Sequence, residues 1–184
     1  MLANLVPMLA SAALGASVLL SPAVSPPVSA ASPNGADEVR TWNSNAVDSV
    51  VTAGIAVPEQ PLYLTYVHRA VYDAVRAAKN AEGHASVRAA VAAAAYTVLS
   101  AHFPAQAATL DAEYATALAA VPDDIARTVG VGLGRTAASR LLADRAEDGR
   151  DGPTVAAPAP APGVWAPLAP NTAGISSFLG SVRP

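Results

Sequence analysis

The segment VHRAVYDAV, residues 67–75, sets His68, Arg69, Tyr72 and Asp73 in an apolar frame. These residue types could form an acid/base cluster, a set of ligands, or the polar rim of a buried helix. On a helix, His68 and Tyr72 are four apart and share a face, while Arg69, Asp73 and Arg76 form a second ladder at steps of four and three. His68 and Asp73 diverge by about 140°, which is poor geometry for a relay within one helix. The apolar seam is Val67, Ala70, Val71, Ala74, Val75 and Ala78, with His68 and Tyr72 at its edge. The spacing predicts a packed helix carrying an edge histidine and a short ion-pair ladder. An enzyme using His68, Tyr72 and Asp73 with partners from other helices is the alternative.

The remaining chemical signals are weaker. His68, His84 and His102 lie on separate elements, with no HxxxH or HExxH pair to share an ion. DRAEDGRDG, 144–152, puts Asp144, Asp148 and Gly149 at calcium-loop positions one, five and six, but positions three and twelve are Ala146 and Val155. Without those acidic ligands, a helix end stopped by Gly149 is the better reading. GVGLG, 130–134, has no preceding strand and no GK[ST], so it is not a phosphate cradle. Ala126, Gly130 and Gly134 instead recur every four residues and make a smooth face for close helix approach. No serine elbow is present, and the absence of cysteine removes disulfides, thiolate metal ligands and cysteine nucleophiles.

The elements that would position these groups are helices. Of the 184 residues, 45 are alanine and only 5% are aromatic, a composition that favours helices packed through small side chains. An all-α bundle of about five helices is expected. Helix one spans 35–53, with Asn34 as N-cap, the stripe Val39, Trp42, Ala46, Val50 and Ala53, and Gly54 as its stop. Pro61 opens helix two. Helix three is SVRAAVAAAAYTVLSAHF, ended by Pro104, and helix four is AQAATLDAEYATALAAV, ended by Pro122. Helix five starts at Asp123 or Asp124 and continues to Gly149. Seven of the sixteen prolines fall in 153–184, which reads as an extended tail with Trp165 as its large anchor.

The net charge of −3 and the scattered Lys and Arg argue against nucleic acid as a partner. The first 36 residues carry no charged side chain, and LASAALGASVLL has the length of a secretory h-region. Val28 and Ala30 fit a small-residue cleavage site, so residues 1–30 read as a signal peptide of a secreted or cell-envelope protein. Pro22, Pro26 and Pro27 interrupt that run before it could span a bilayer, and no membrane association is expected after cleavage. The expected organisation is a leader over 1–30, a helical domain over 31–152 and a Pro-rich tail over 153–184.

The order VRTWNSNAVDSV, VHRAVYDAV, VAAAAYTVLSAHFPAQAATLD, DRAEDG and PGVWAPLAP leading into VRP resembles the N-terminal half of secreted bacterial vanadium-dependent haloperoxidase-like proteins. These are relatives of the type 2 phosphatidic acid phosphatases. The resemblance covers residues 36–184. It implies an all-helical enzyme that holds vanadate or phosphate with a lysine, two arginines, a Pro-Ser-Gly-His segment and a final histidine, and that oxidises halide or hydrolyses phosphate esters.

That constellation is missing from this sequence. Lys79 is its one lysine and has no Arg-Pro seven residues on, no SGH occurs, and Arg183 and Pro184 close the sequence. No catalytic, cofactor-binding or metal-ligating residue is therefore assigned, and vanadate is expected only in an intact family member. The expectation is a truncated or incomplete scaffold, with a catalytic half after Pro184 or a second copy of the chain as its partner. A stand-alone secreted helical binding protein that has lost catalysis is the alternative.

Overall fold

A computed structural model describes residues 35–122, 124–153, 156–168 and 174–183. The expected leader and the Asn34 cap lie outside the described residues. Five α-helices follow in order: α1, Gly35–Thr52; α2, Gln60–Asn80; α3, Val87–His102; α4, Ala107–Ala119; and α5, Ile125–Asp144. Single 3-10 turns at Pro104–Gln106 and Ser177–Ser181 precede α4 and close the tail. Among the described residues there is no strand element, and no helix is long and apolar enough to cross a membrane. The fold is an all-α bundle.

Local chemistry sets the helix boundaries. Pro61 occupies the first turn of α2, where its missing N–H costs nothing. The Ser86 side chain caps α3 by accepting from the Ala89 N–H at 3.2 Å, and Asp124 caps α5 by accepting from the Arg127 N–H at 2.9 Å. Gly54 follows α1 at φ +66, a left-handed conformation that glycine adopts without a Cβ penalty. Two expected ends move. Helix α5 stops at Asp144 rather than Gly149, because residues 145–149 turn to deliver Asp148 into the bundle. Helix α4 starts at Ala107, the residues after Pro104 first making a 3-10 turn.

Helix α3 is the axis of the bundle and touches all four other helices. Every residue from Ala89 to Ala95 is buried, so α3 is apolar around its whole circumference, as a central helix must be. Its methyl-sized side chains let the neighbours come close. Trp42, Ala46 and Val50 pack from α1, whereas Ala53, expected on that stripe, is exposed. From α2 come Val67, Ala70, Val71, Ala74 and Ala78, as the spacing predicts, with Val75 only half-buried.

The closest approach is to α5. A Cβ on Gly130 would lie 2.3 Å from the Ser86 carbonyl oxygen, and one on Gly134 would lie 2.3 Å from that of Ala90. Both contacts are with backbone that cannot swing aside. The Ser86 N–H donates to the Ala126 carbonyl at 2.8 Å, and Ala138 is fully buried one step further along the same stripe. The four-residue repeat of small side chains is thus the α3–α5 seam.

Candidate functional site

The ladder of Arg69, Asp73 and Arg76 runs along α2 beside its buried seam, and Arg140 and Asp144 on α5, with Arg145 just past its end, lie beside the buried Ala138 and Leu141. The two rows border a cleft of about 600 Å³ floored by Leu133, Ala137 and Leu141. Four of the chain's ten arginines thus meet in one concavity, offset by two aspartates. Two positive charges remain in excess, on a chain whose net charge is −3.

The arginines differ in how they are held. Arg69 Nε donates to Asp73 Oδ2 at 2.8 Å, an exposed pair of the kind that adds little stability. The Arg76 guanidinium lies 5.7 Å from the centre of the Tyr72 ring. Arg145 Nη1 donates to the Arg183 carbonyl at 2.7 Å and so ties the tail to the cleft. Arg140 makes no hydrogen bond or ion pair among the described residues. A smaller lobe of about 390 Å³ continues from the cleft, sharing Arg69, Leu141 and Arg145 with it. Leu62, Tyr66, Leu179 and Val182 make this lobe mainly apolar, and Arg183 stands at its edge.

A buried polar lock lies beside this lobe. Asp148 is 1% exposed, accepts a hydrogen bond from the Tyr66 hydroxyl, and accepts further bonds from the Arg150 backbone N–H at 3.1 Å and its Nη1 at 3.2 Å. Burial pushes the Asp148 pKa up, but the Tyr66 and Arg150 hydrogen bonds and the Arg150 charge outweigh burial and hold it below 3.8. Tyr66 is pushed up to about 12 by burial first and by its bond to Asp148 second. The His102 ring stacks on Tyr66 at 5.4 Å and meets Tyr63 edge-on at 5.3 Å. Its Nε2 is buried with no hydrogen-bond partner among the described residues, and burial followed by the Arg150 charge lowers its pKa below 6.5. The lock also fixes the tail. The Arg183 N–H donates to the Asp148 carbonyl at 2.8 Å, and Ser176 Oγ donates to Glu59 at 2.6 Å.

No family model, curated protein or solved structure matches this chain.

The residues that the sequence brings forward do not converge. His68 is exposed and its Nε2 lies 2.7 Å from Asn43 Oδ1, so it ties to a neighbour as expected of an edge histidine. Tyr72 is 56% exposed and engages Arg76. Neither lines the cleft, whereas Asp73 does, so the three share no cavity. Asp148, met in the sequence as a failed calcium ligand, is the centre of the lock. Trp165 does not anchor the tail, being 57% exposed, and the hydrogen bonds of Ser176 and Arg183 do that instead.

Two features escape sequence reasoning. Tyr66 and Asp148 are 82 residues apart, and no local pattern pairs them. Arg140 and Arg145 look scattered in the sequence, although the spacing of Arg140 and Asp144, four apart like Arg69 and Asp73, is a signal that could mark a second charged helix row. The cleft as built can bind an anion through guanidinium forks.

Proposed function

We propose that the chain is a helical scaffold of the vanadium-dependent haloperoxidase and phosphatase type, not catalytic by itself, that serves a separate anion-handling part or a second copy. The observation that carries this reading is where the segments of the resemblance lie. VRTWNSNAVDSV contributes Trp42 and Val50 to the core, VHRAVYDAV the α2 seam, VAAAAYTVLSAHF the central helix, and DRAEDG the Asp148 lock. Each of these four supplies packing or a structural anchor, whereas PGVWAPLAP leaves Trp165 and Leu168 exposed.

The vanadate ligand set that the resemblance implies does not fit the residues present. No histidine or lysine lines the arginine cleft, and Lys79 lies exposed near the end of α2. The test is a halide-oxidation assay with vanadate, hydrogen peroxide and bromide on the purified chain, run beside a phosphatase assay. The expected result is no turnover in either, and turnover in one would overturn the scaffold reading.

A second reading, a stand-alone helical binding protein, is favoured by one observation: the excess of arginine in a cleft with an apolar extension.

A further inference from the structure

The cleft and its smaller lobe differ in character although they share walls. The larger lobe carries Arg76 and Arg140, which the smaller does not share, and the smaller one offers Leu62, Leu179 and Val182. Arg69 and Arg145 stand at the junction, already engaged by Asp73 and by the Arg183 carbonyl. The cationic capacity left for a ligand is therefore concentrated in Arg76 and Arg140, one resting against Tyr72 and the other exposed.

A rigid guanidinium plane matches a carboxylate in a two-point fork, and Arg is less strongly hydrated than Lys, so such a pair forms at modest desolvation cost. An inorganic anion would use only the arginine lobe and leave the apolar lobe wet. A neutral apolar molecule would use only the smaller lobe and leave the positive excess uncompensated. A ligand that satisfies both has an anionic head and an unbranched apolar chain. The junction of the lobes suits that chain, because the apolar Leu141 belongs to both.

We propose that the α2–α5 cleft binds a single-chain amphiphilic carboxylate of the fatty-acid type. Its head group is held by Arg76 and Arg140, and its chain lies over Leu141 toward Leu62, Leu179 and Val182. This site is independent of the scaffold reading, since it needs neither vanadate nor a catalytic half, and its failure would leave the turnover assays unchanged.

The test is calorimetric titration of the full chain with laurate below its micelle concentration, beside octanoate, inorganic phosphate and neutral dodecyl maltoside. Laurate is expected to bind with one site per chain. Octanoate is expected to bind more weakly, by about twofold for each methylene removed, the burial value of a half-covered CH₂. The Arg76→Gln, Arg140→Gln double variant changes two exposed side chains outside the core. It is expected to keep the far-ultraviolet circular dichroism and melting profile of the parent and to lose roughly tenfold in laurate affinity. Leu179→Asp, whose folding is checked in the same way, is expected to weaken laurate and leave any phosphate binding unchanged.

Absence of laurate binding would overturn the proposal. So would phosphate or the maltoside binding as tightly as laurate, because one lobe would then suffice. Unchanged laurate affinity in the double arginine variant would overturn the assignment of the head group.

Discussion

Helix α5 is held on its two long sides by opposite means. Toward α3 it presents Ala126, Gly130, Gly134 and Ala138, and the backbones approach until there is no room for a Cβ at either glycine. Toward α2, the outer part of its surface carries Arg140 and Asp144, with Arg145 just past its end, across a cleft wide enough for a ligand. The first side gains its stability from dispersion contact at close range. The second faces an exposed ion pair that lies within α2 and adds little, and it is tied at its end by the buried Asp148 lock. Rigidity and openness thus belong to different faces of one helix, with function expected on the open face.

The strongest way to break this contrast is to put a side chain into the seam. Gly134→Val would drive a branched side chain into the Ala90 carbonyl and the Ala93 methyl group. The expected loss exceeds the usual overpacking cost of about 1–3 kcal/mol, enough to unfold the bundle at moderate temperature in a circular dichroism melt. Asp148→Ala comes next. It leaves Tyr66 and Arg150 without their shared acceptor, and a loss of about 3 kcal/mol is expected by urea unfolding, together with faster proteolysis within the tail.

Acid should sharpen the difference between seam and lock, because only the lock titrates. The folded-state pKa of His102 lies below 6.5, so the folded protein binds fewer protons than the unfolded chain in that range. Stability is therefore full above pH 6.5 and falls as the pH drops from there through the lowered His102 value. Asp148, also lowered, holds its contribution above pH 3.8 and loses it only at lower pH. His102→Gln is expected to flatten the melting temperature between pH 6.5 and the more acidic His102 transition while leaving the Asp148 loss in place. A melting temperature insensitive to pH down to 4 in the parent would remove His102 from the lock.

The smallest expected effect is a gain. Gly132 lies on the same helix between the two seam glycines, yet a Cβ there meets nothing within 4 Å. Gly132→Ala should stabilise by about 1 kcal/mol, the helix propensity difference, read as a rise of a few degrees in melting temperature. Opposite signs at Gly132 and Gly134, two residues apart, would isolate the seam as the cause.

Much of this was legible in the chain. The spacing of Val67, Ala70, Val71, Ala74 and Ala78 identified the α2 seam, and the four-residue repeat of small side chains identified a close helix contact without naming its partner. A cap at Asp123 or Asp124, which falls on Asp124, and Gly54 as a stop were readable because capping depends on neighbours within one turn. The end of α5 was misplaced because Asp148 is drawn out of the helix by Tyr66, a tertiary partner that outweighs local propensity.

The cleft divides along the same line. Its α2 half, Arg69, Asp73 and Arg76, is visible as a ladder at helical spacing, whereas its α5 half reads as scattered charge until the two helices stand side by side. Periodicity, propensity and capping are properties of a few consecutive residues, so the sequence by itself determined the all-α class, most helix ends and the buried faces. Which faces meet is a property of the whole packing. Only the tertiary structure decided that Gly134 sits on the Ala90 carbonyl, that Tyr66 finds Asp148, and that four arginines of an acidic chain share one cleft, because each pairs residues from separate helices that no local pattern links.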